Sequence, residues 1–72
     1  MEILENILKS INPDILGSGK KIVTDGLVDS VDLVGIVSEI EEQFGIEIPI
    51  EEISPDNFDD VESIWNMIKK LQ

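Results

Sequence analysis

Neither cysteine nor histidine occurs in the 72 residues of this chain. Without cysteine there is no disulfide framework and no thiolate metal site. Without histidine the usual general base, the usual metal ligand and any Ser-His-Asp arrangement disappear together. Carboxylates remain available for acid–base work, but two of them need a shielded pocket to pull their pKa values apart. A chain this short buries only about 60% of its unfolded surface and has little core from which to build one. No apolar run approaches the about 20 residues that span a bilayer. The opening "MEILENILKS" begins with an acid rather than a basic segment, which argues against a signal peptide. These absences predict one small, soluble, cytoplasmic domain over residues 1–72, a monomer without membrane insertion and without a catalytic apparatus of its own.

Basic residues are the next scarcity. Sixteen acids face five bases, for a formal net charge of −11. All five bases are lysines near the ends: Lys9, Lys20 and Lys21 early, Lys69 and Lys70 late. From Ile22 to Ile68 there are 13 acids and no base. Phosphate binding requires positive charge, so nucleic acid and anionic membrane surfaces are excluded as direct ligands. Partners with basic patches are favoured, because complementary fields speed encounter.

What is present reads as helices. Ile3, Leu4, Ile7, Leu8 and Ile11 recur at helical spacing, and "NP" at Asn12 and Pro13 ends that helix. A long stretch follows, carrying Gly17, Gly19 and Gly26 among scattered apolar residues. Loops of that length in a compact domain are usually functional, and its aliphatic side chains predict that it is pinned to the core. A second helix runs from about Ser30 to Phe44, with Asp29 as a cap and Gly45 as a stop. "IEIPIEEI" reads as a linker, and "SPDNF" as a single helical turn with Ser54 as cap and Pro55 at its first position. The last helix begins at "DD", with Asp59 and Glu62 spaced as a capping box. Its apolar stripe is Val61, Ile64, Trp65, Ile68 and Leu71. The expected fold is all-α: a small bundle of four helices, three long and one short, with a long first loop.

On a helical wheel, Leu33, Val34, Ile36, Val37, Ile40 and Phe44 share an arc of about 160° that reads as the buried face. Val31, Asp32, Gly35, Ser38, Glu39, Glu42 and Gln43 occupy the opposite arc, and Glu41 the boundary. Val31 is apolar on the wet face: either a contact for something docking beside Ser30, or a side chain folded back on Leu27 or Val28. Gly35 costs about 1 kcal/mol relative to alanine in mid-helix. It allows either a close approach by another chain or simple tolerance.

Ser30 itself has two readings. A serine at a helix start is ordinarily a cap, but Asp29 can already perform that task. A helix N-terminus offers unpaired N–H groups and a positive partial charge, so a phosphate attached at Ser30 sits where an anion is best tolerated. Used by the protein itself as a nucleophile, the serine lacks a base. Modified by another enzyme, it needs only exposure and a recognisable acidic surface.

"DGLVDSVDLVGIVSEIEEQFGIEIP" resembles the attachment-site region of acyl carrier proteins and related phosphopantetheine-binding carriers. In that family an aspartate–serine pair and an aliphatic residue open an acidic second helix that leads to a phenylalanine and, after a short gap, "IP". The resemblance implies that Ser30 carries 4′-phosphopantetheine, transferred from coenzyme A by a phosphopantetheinyl transferase, with Asp29 as a flanking acid. It implies that the arm's thiol holds an acyl or aminoacyl group as a thioester, so that the missing cysteine matters little. Val31, Asp32, Glu39, Glu41 and Glu42 become partner-binding residues. The implied partners are the transferase, a loading ligase and downstream acyl-transferring enzymes with basic docking patches. Fatty acid, polyketide and nonribosomal peptide biosynthesis are the settings this family serves. The late segment "IEEISPDNFDDVESI" looks more like free-standing carriers for D-alanine or other amino acids and like some peptidyl carriers. The abundance of valine and isoleucine predicts a tight interior and a small or exposed cargo. The competing account is an acidic interaction module without a prosthetic group, occupying a basic groove as a nucleic-acid mimic does.

Overall fold

The computed structural model describes residues 2–72 and is all-helical among them. Helix α1 spans Glu2–Ile11, α2 spans Ser30–Phe44, α3 is the single turn Pro55–Phe58, and α4 spans Val61–Leu71. A 3-10 turn at Ile50–Glu52 interrupts the connection between α2 and α3. Met1, the first residue of the opening amphipathic stretch, lies outside the described residues.

The core forms where the helical stripes meet. Leu4 and Leu8 from α1, Ile36 and Ile40 from α2, Phe58 from α3, and Ile64 and Ile68 from α4 have no exposed surface. Phe44 and Trp65 close one side, their rings 5.9 Å apart and inclined at 66°, an edge-to-face arrangement.

The long first loop is pinned, as its apolar residues predict. Ile15, Ile22 and Val28 are buried in the same core. The two ends of the loop are tied by Asn12, whose Nδ2 donates to the Leu27 carbonyl at 2.8 Å. The Leu27 and Val28 N–H groups both donate to the Ile22 carbonyl. Residues that must satisfy backbone polar groups without a helix or sheet do so here by such side-chain and turn bonds.

Four local expectations are corrected. Asp59 does not cap α4. It continues the αR turn at the end of α3 (φ −75°, ψ −20°) and therefore lacks the extended backbone an N-cap needs. Asp60 has that backbone (φ −145°, ψ 161°), and its Oδ1 accepts the Ser63 N–H at 2.7 Å. The Asp59–Glu62 capping box is thus absent. Ser54 occupies the cap position of α3, but its side chain makes no capping hydrogen bond. Val34, placed by periodicity on the buried face, is 65% exposed, because no element packs over that strip of α2. Gly35, placed on the wet face, is half-buried, and a Cβ there would lie 3.5 Å from Ile11 Cδ1. Helix α1 packs closer to that side of α2 than the wheel anticipates.

Candidate functional site

The site is built around the first turn of α2. Asp29 is extended (φ −93°, ψ −175°), and its side chain accepts the N–H of Asp32 at 2.8 Å. Its carbonyl accepts the Leu33 N–H at 2.9 Å. Capping is therefore completed by the residue ahead of the serine. Ser30 is exposed, and its hydroxyl has no hydrogen-bond partner among the described residues. The N–H groups of Ser30 and Val31 are likewise without an acceptor there. A free hydroxyl stands beside two unpaired donors at the positive end of a 15-residue helix. A phosphate ester on Ser30 Oγ fits these surroundings, since the anion meets donors and dipole with no side chain to displace.

Val31 is 78% exposed. It does not fold back onto Leu27 or Val28, and the reading that removed it from the surface is overturned. Val34 and Ile50, the latter 83% exposed, add two further apolar side chains at the surface.

The acids of α2 divide. Glu39 and Glu42 are exposed, and Asp32 is half-buried. Glu41 is half-buried and already engaged, its Oε2 accepting the Ile48 N–H at 2.9 Å. The Glu41 carbonyl takes the N–H of Gly45 and of Ile46. Gly45 is left-handed (φ +64°), the conformation that turns the chain back here and that glycine adopts without a Cβ penalty.

That reversal creates a groove of about 440 Å³ between α2 and the segment that follows it. Ser30, Leu33, Val34, Val37, Ser38 and Glu41 line it from α2, and Ile48 and Ile53 from the opposite side. Ser30 thus stands at one end of an apolar trough that carries a single ionisable side chain, Glu41. Beyond it, Glu52 ties the 3-10 turn to the rest of the fold. Its carboxylate pairs with Lys70 Nζ and accepts Asn57 Nδ2 at 2.9 Å. The Lys70 bond, reinforced by Asn57, holds the Glu52 carboxyl below its ordinary range.

Sequence periodicity missed Val34, Ile48 and Ile53 as members of this groove. An apolar residue four positions after Ser30 was a usable signal for Val34, because i and i+4 share a helix face. Ile48 and Ile53 carry no period, and only the chain reversal at Gly45 brings them opposite α2.

Residues 25–68 match the family model described as a phosphopantetheine attachment site. The chain is 40% identical over 55 residues to an acyl carrier protein of Campylobacter hominis, covering 68% of this chain and 70% of that protein. It is 33% identical over 63 residues to an acyl carrier protein of Campylobacter lari, covering 88% and 79%. Over 61 residues it is 36% identical to a D-alanyl carrier protein of Bacillus velezensis, covering 85% and 72%. No solved structure matches significantly.

Proposed function

The chain belongs to the phosphopantetheine attachment-site family, and we propose that Ser30 is the residue of this chain that carries the arm. The protein is a carrier of acyl or aminoacyl groups and not a catalyst. The observation that carries the assignment is the division of labour at the helix start: Asp29 caps, and the Ser30 hydroxyl is left exposed and unbonded.

In the modification, Ser30 Oγ forms the new bond to phosphorus, and the bond between that phosphorus and the adenosine bisphosphate half of coenzyme A breaks. The hydroxyl proton leaves to a base of the transferase. Once attached, 4′-phosphopantetheine supplies the terminal thiol on which cargo is held as a thioester. The chain's own residues then have three tasks. Asp29 and the first-turn N–H groups hold the phosphate's attachment point at the positive helix end. Val31, Val34 and Ile50 offer apolar contact, and Asp32, Glu39 and Glu42 offer negative charge to enzymes with basic docking patches. Glu41 holds the groove's far end through Ile48. We place this carrier domain in the cytoplasm as a monomer served by a transferase and a loading ligase.

Incubation with coenzyme A and a permissive phosphopantetheinyl transferase, followed by intact-mass measurement, tests the assignment. A gain of one phosphopantetheine moiety, lost in Ser30→Ala, is expected. Failure of the wild-type chain with several transferases overturns the reading in favour of an acidic interaction module without a prosthetic group.

A further inference from the structure

Ser30 directly follows a loop, residues 12–29, that holds no helix. Ile15, Ile22 and Val28 are buried and fix how deep that loop sits. Burial is non-directional, however, and does not set the path between those anchors. Thr24, Asp25 and Gly26, which lie between two of them, are exposed. The path is set by hydrogen bonds. Apart from those that Asn12 and Asp29 make with the helices they adjoin, every hydrogen bond from this loop to the rest of the described residues ends on Asp59. The Asp59 carbonyl takes the Ile22 N–H at 2.8 Å. One carboxylate oxygen takes the N–H groups of Val23 and Thr24 at 3.0 and 2.8 Å, and the other takes the Thr24 hydroxyl.

Both ends of this anchorage are fixed. Asp59 follows the fully buried Phe58, its own N–H donates to the Pro55 carbonyl at 2.9 Å, and the next residue, Asp60, caps α4. On the loop side, the Ile22 carbonyl collects the N–H groups of Leu27 and Val28 at 3.0 and 3.3 Å. Gly26, left-handed at φ +76°, turns the chain back so that they can reach it. A line of hydrogen bonds therefore runs from the junction of α3 and α4, through Ile22, to the residue two positions before Ser30.

We propose that Asp59 is a positioning residue for arm transfer: by clamping Ile22, Val23 and Thr24 it holds the loop ahead of Ser30 in the shape that the transferase grips. The inference rests on Ser30 being the attachment site. An enzyme that reaches Ser30 Oγ meets α2 on one flank and this loop on the other. The helix is ordered by its own backbone bonds. The loop has no such ladder, and without Asp59 its ordering would be a cost met at binding. Asp59 thus acts on the affinity of the encounter and leaves the chemistry of the bound complex alone.

The test measures arm transfer to the full chain from coenzyme A by a permissive transferase, well below the melting midpoint of each variant. Asp59→Ala should raise KM for the carrier about tenfold and leave kcat within about twofold, the pattern of a loss confined to binding. In the same variant, amide exchange at Leu27 and Val28 should quicken, while Leu33, bonded to the Asp29 carbonyl, keeps its wild-type rate. Asp60→Ala removes the same charge one residue along, and the cap of α4 with it, without touching the loop. It should lower stability and leave KM unchanged. Thr24→Val, at an exposed position, deletes only the hydroxyl bond and should raise KM about threefold. Thr24→Ser keeps that hydroxyl and should match the wild type. Should Asp59→Ala not fold, the two Thr24 variants decide. An unchanged KM in Thr24→Val or in a folded Asp59→Ala, or an equal rise in Asp60→Ala, overturns the proposal. A wild-type chain that takes no arm condemns the Ser30 assignment instead.

Discussion

The hydroxyl of Thr24 donates a 2.6 Å hydrogen bond to Oδ2 of Asp59, 35 positions away in the chain. The other carboxylate oxygen accepts the N–H groups of Val23 and Thr24, and the Asp59 carbonyl accepts that of Ile22. One residue at the junction of α3 and α4 therefore clamps three consecutive residues of the long loop that leads to Ser30.

This clamp has a pH dependence whose sign is set by its bonds. The Thr24 hydroxyl first, and then the backbone N–H groups and nearby Lys21, hold the Asp59 carboxyl below its ordinary value of 3.8. The folded group thus binds its proton more weakly than the unfolded one. Its contribution to stability is complete above about pH 4 and is lost as pH falls through the depressed folded value. Protonation of the other acids relieves repulsion over the same range, so the readout is a difference. The melting midpoint of the wild type should exceed that of Asp59→Asn at neutral pH, and the gap should narrow progressively below pH 4. A gap independent of pH would show that the carboxylate charge plays no part.

Gly35→Ala should stabilise the fold by about 0.5–1 kcal/mol through helix propensity. The new methyl group meets Ile11 Cδ1 at 3.5 Å, an ordinary contact. The melting midpoint should rise by about 3–6 °C with the rate of arm transfer unchanged. A stabilised protein that is modified more slowly would mean that the glycine admits a partner's backbone.

Val31→Ala and Val34→Ala should leave stability within about 0.5 kcal/mol of wild type, since both side chains are already exposed. If transferases bury these valines, truncating either removes about 1.5 kcal/mol of contact and lowers kcat/KM for arm transfer roughly tenfold. Unchanged kinetics in both variants would remove this strip from the docking surface.

The 13 acids between Ile22 and Ile68 repel one another with no base among them. Salt shortens the range of that repulsion to about 8 Å at physiological ionic strength. The melting midpoint should therefore climb as sodium chloride is raised from a few millimolar. A flat response would mean that the acids are compensated locally, as Asp29 is by the N–H of Asp32 and Asp60 by that of Ser63.

Much of this arrangement was legible in the chain itself. Apolar spacing located the three long helices, and an aspartate before a serine before an aliphatic helix offered Asp29 as a cap that could leave Ser30 over. These are short-range matters: a cap and a helical face depend on residues within about one turn. The tertiary structure decided which of two adjacent aspartates caps α4, because Asp59 is claimed by loop N–H groups 35 and 36 positions away. It also decided that Val34 is a groove wall and not core, and that Glu41 faces that groove while Glu39 and Glu42 face water. Those outcomes follow from where the chain goes after Gly45 and from which element packs over which strip of α2. They depend on the packing of distant segments against one another, a relation that no local pattern of residues contains.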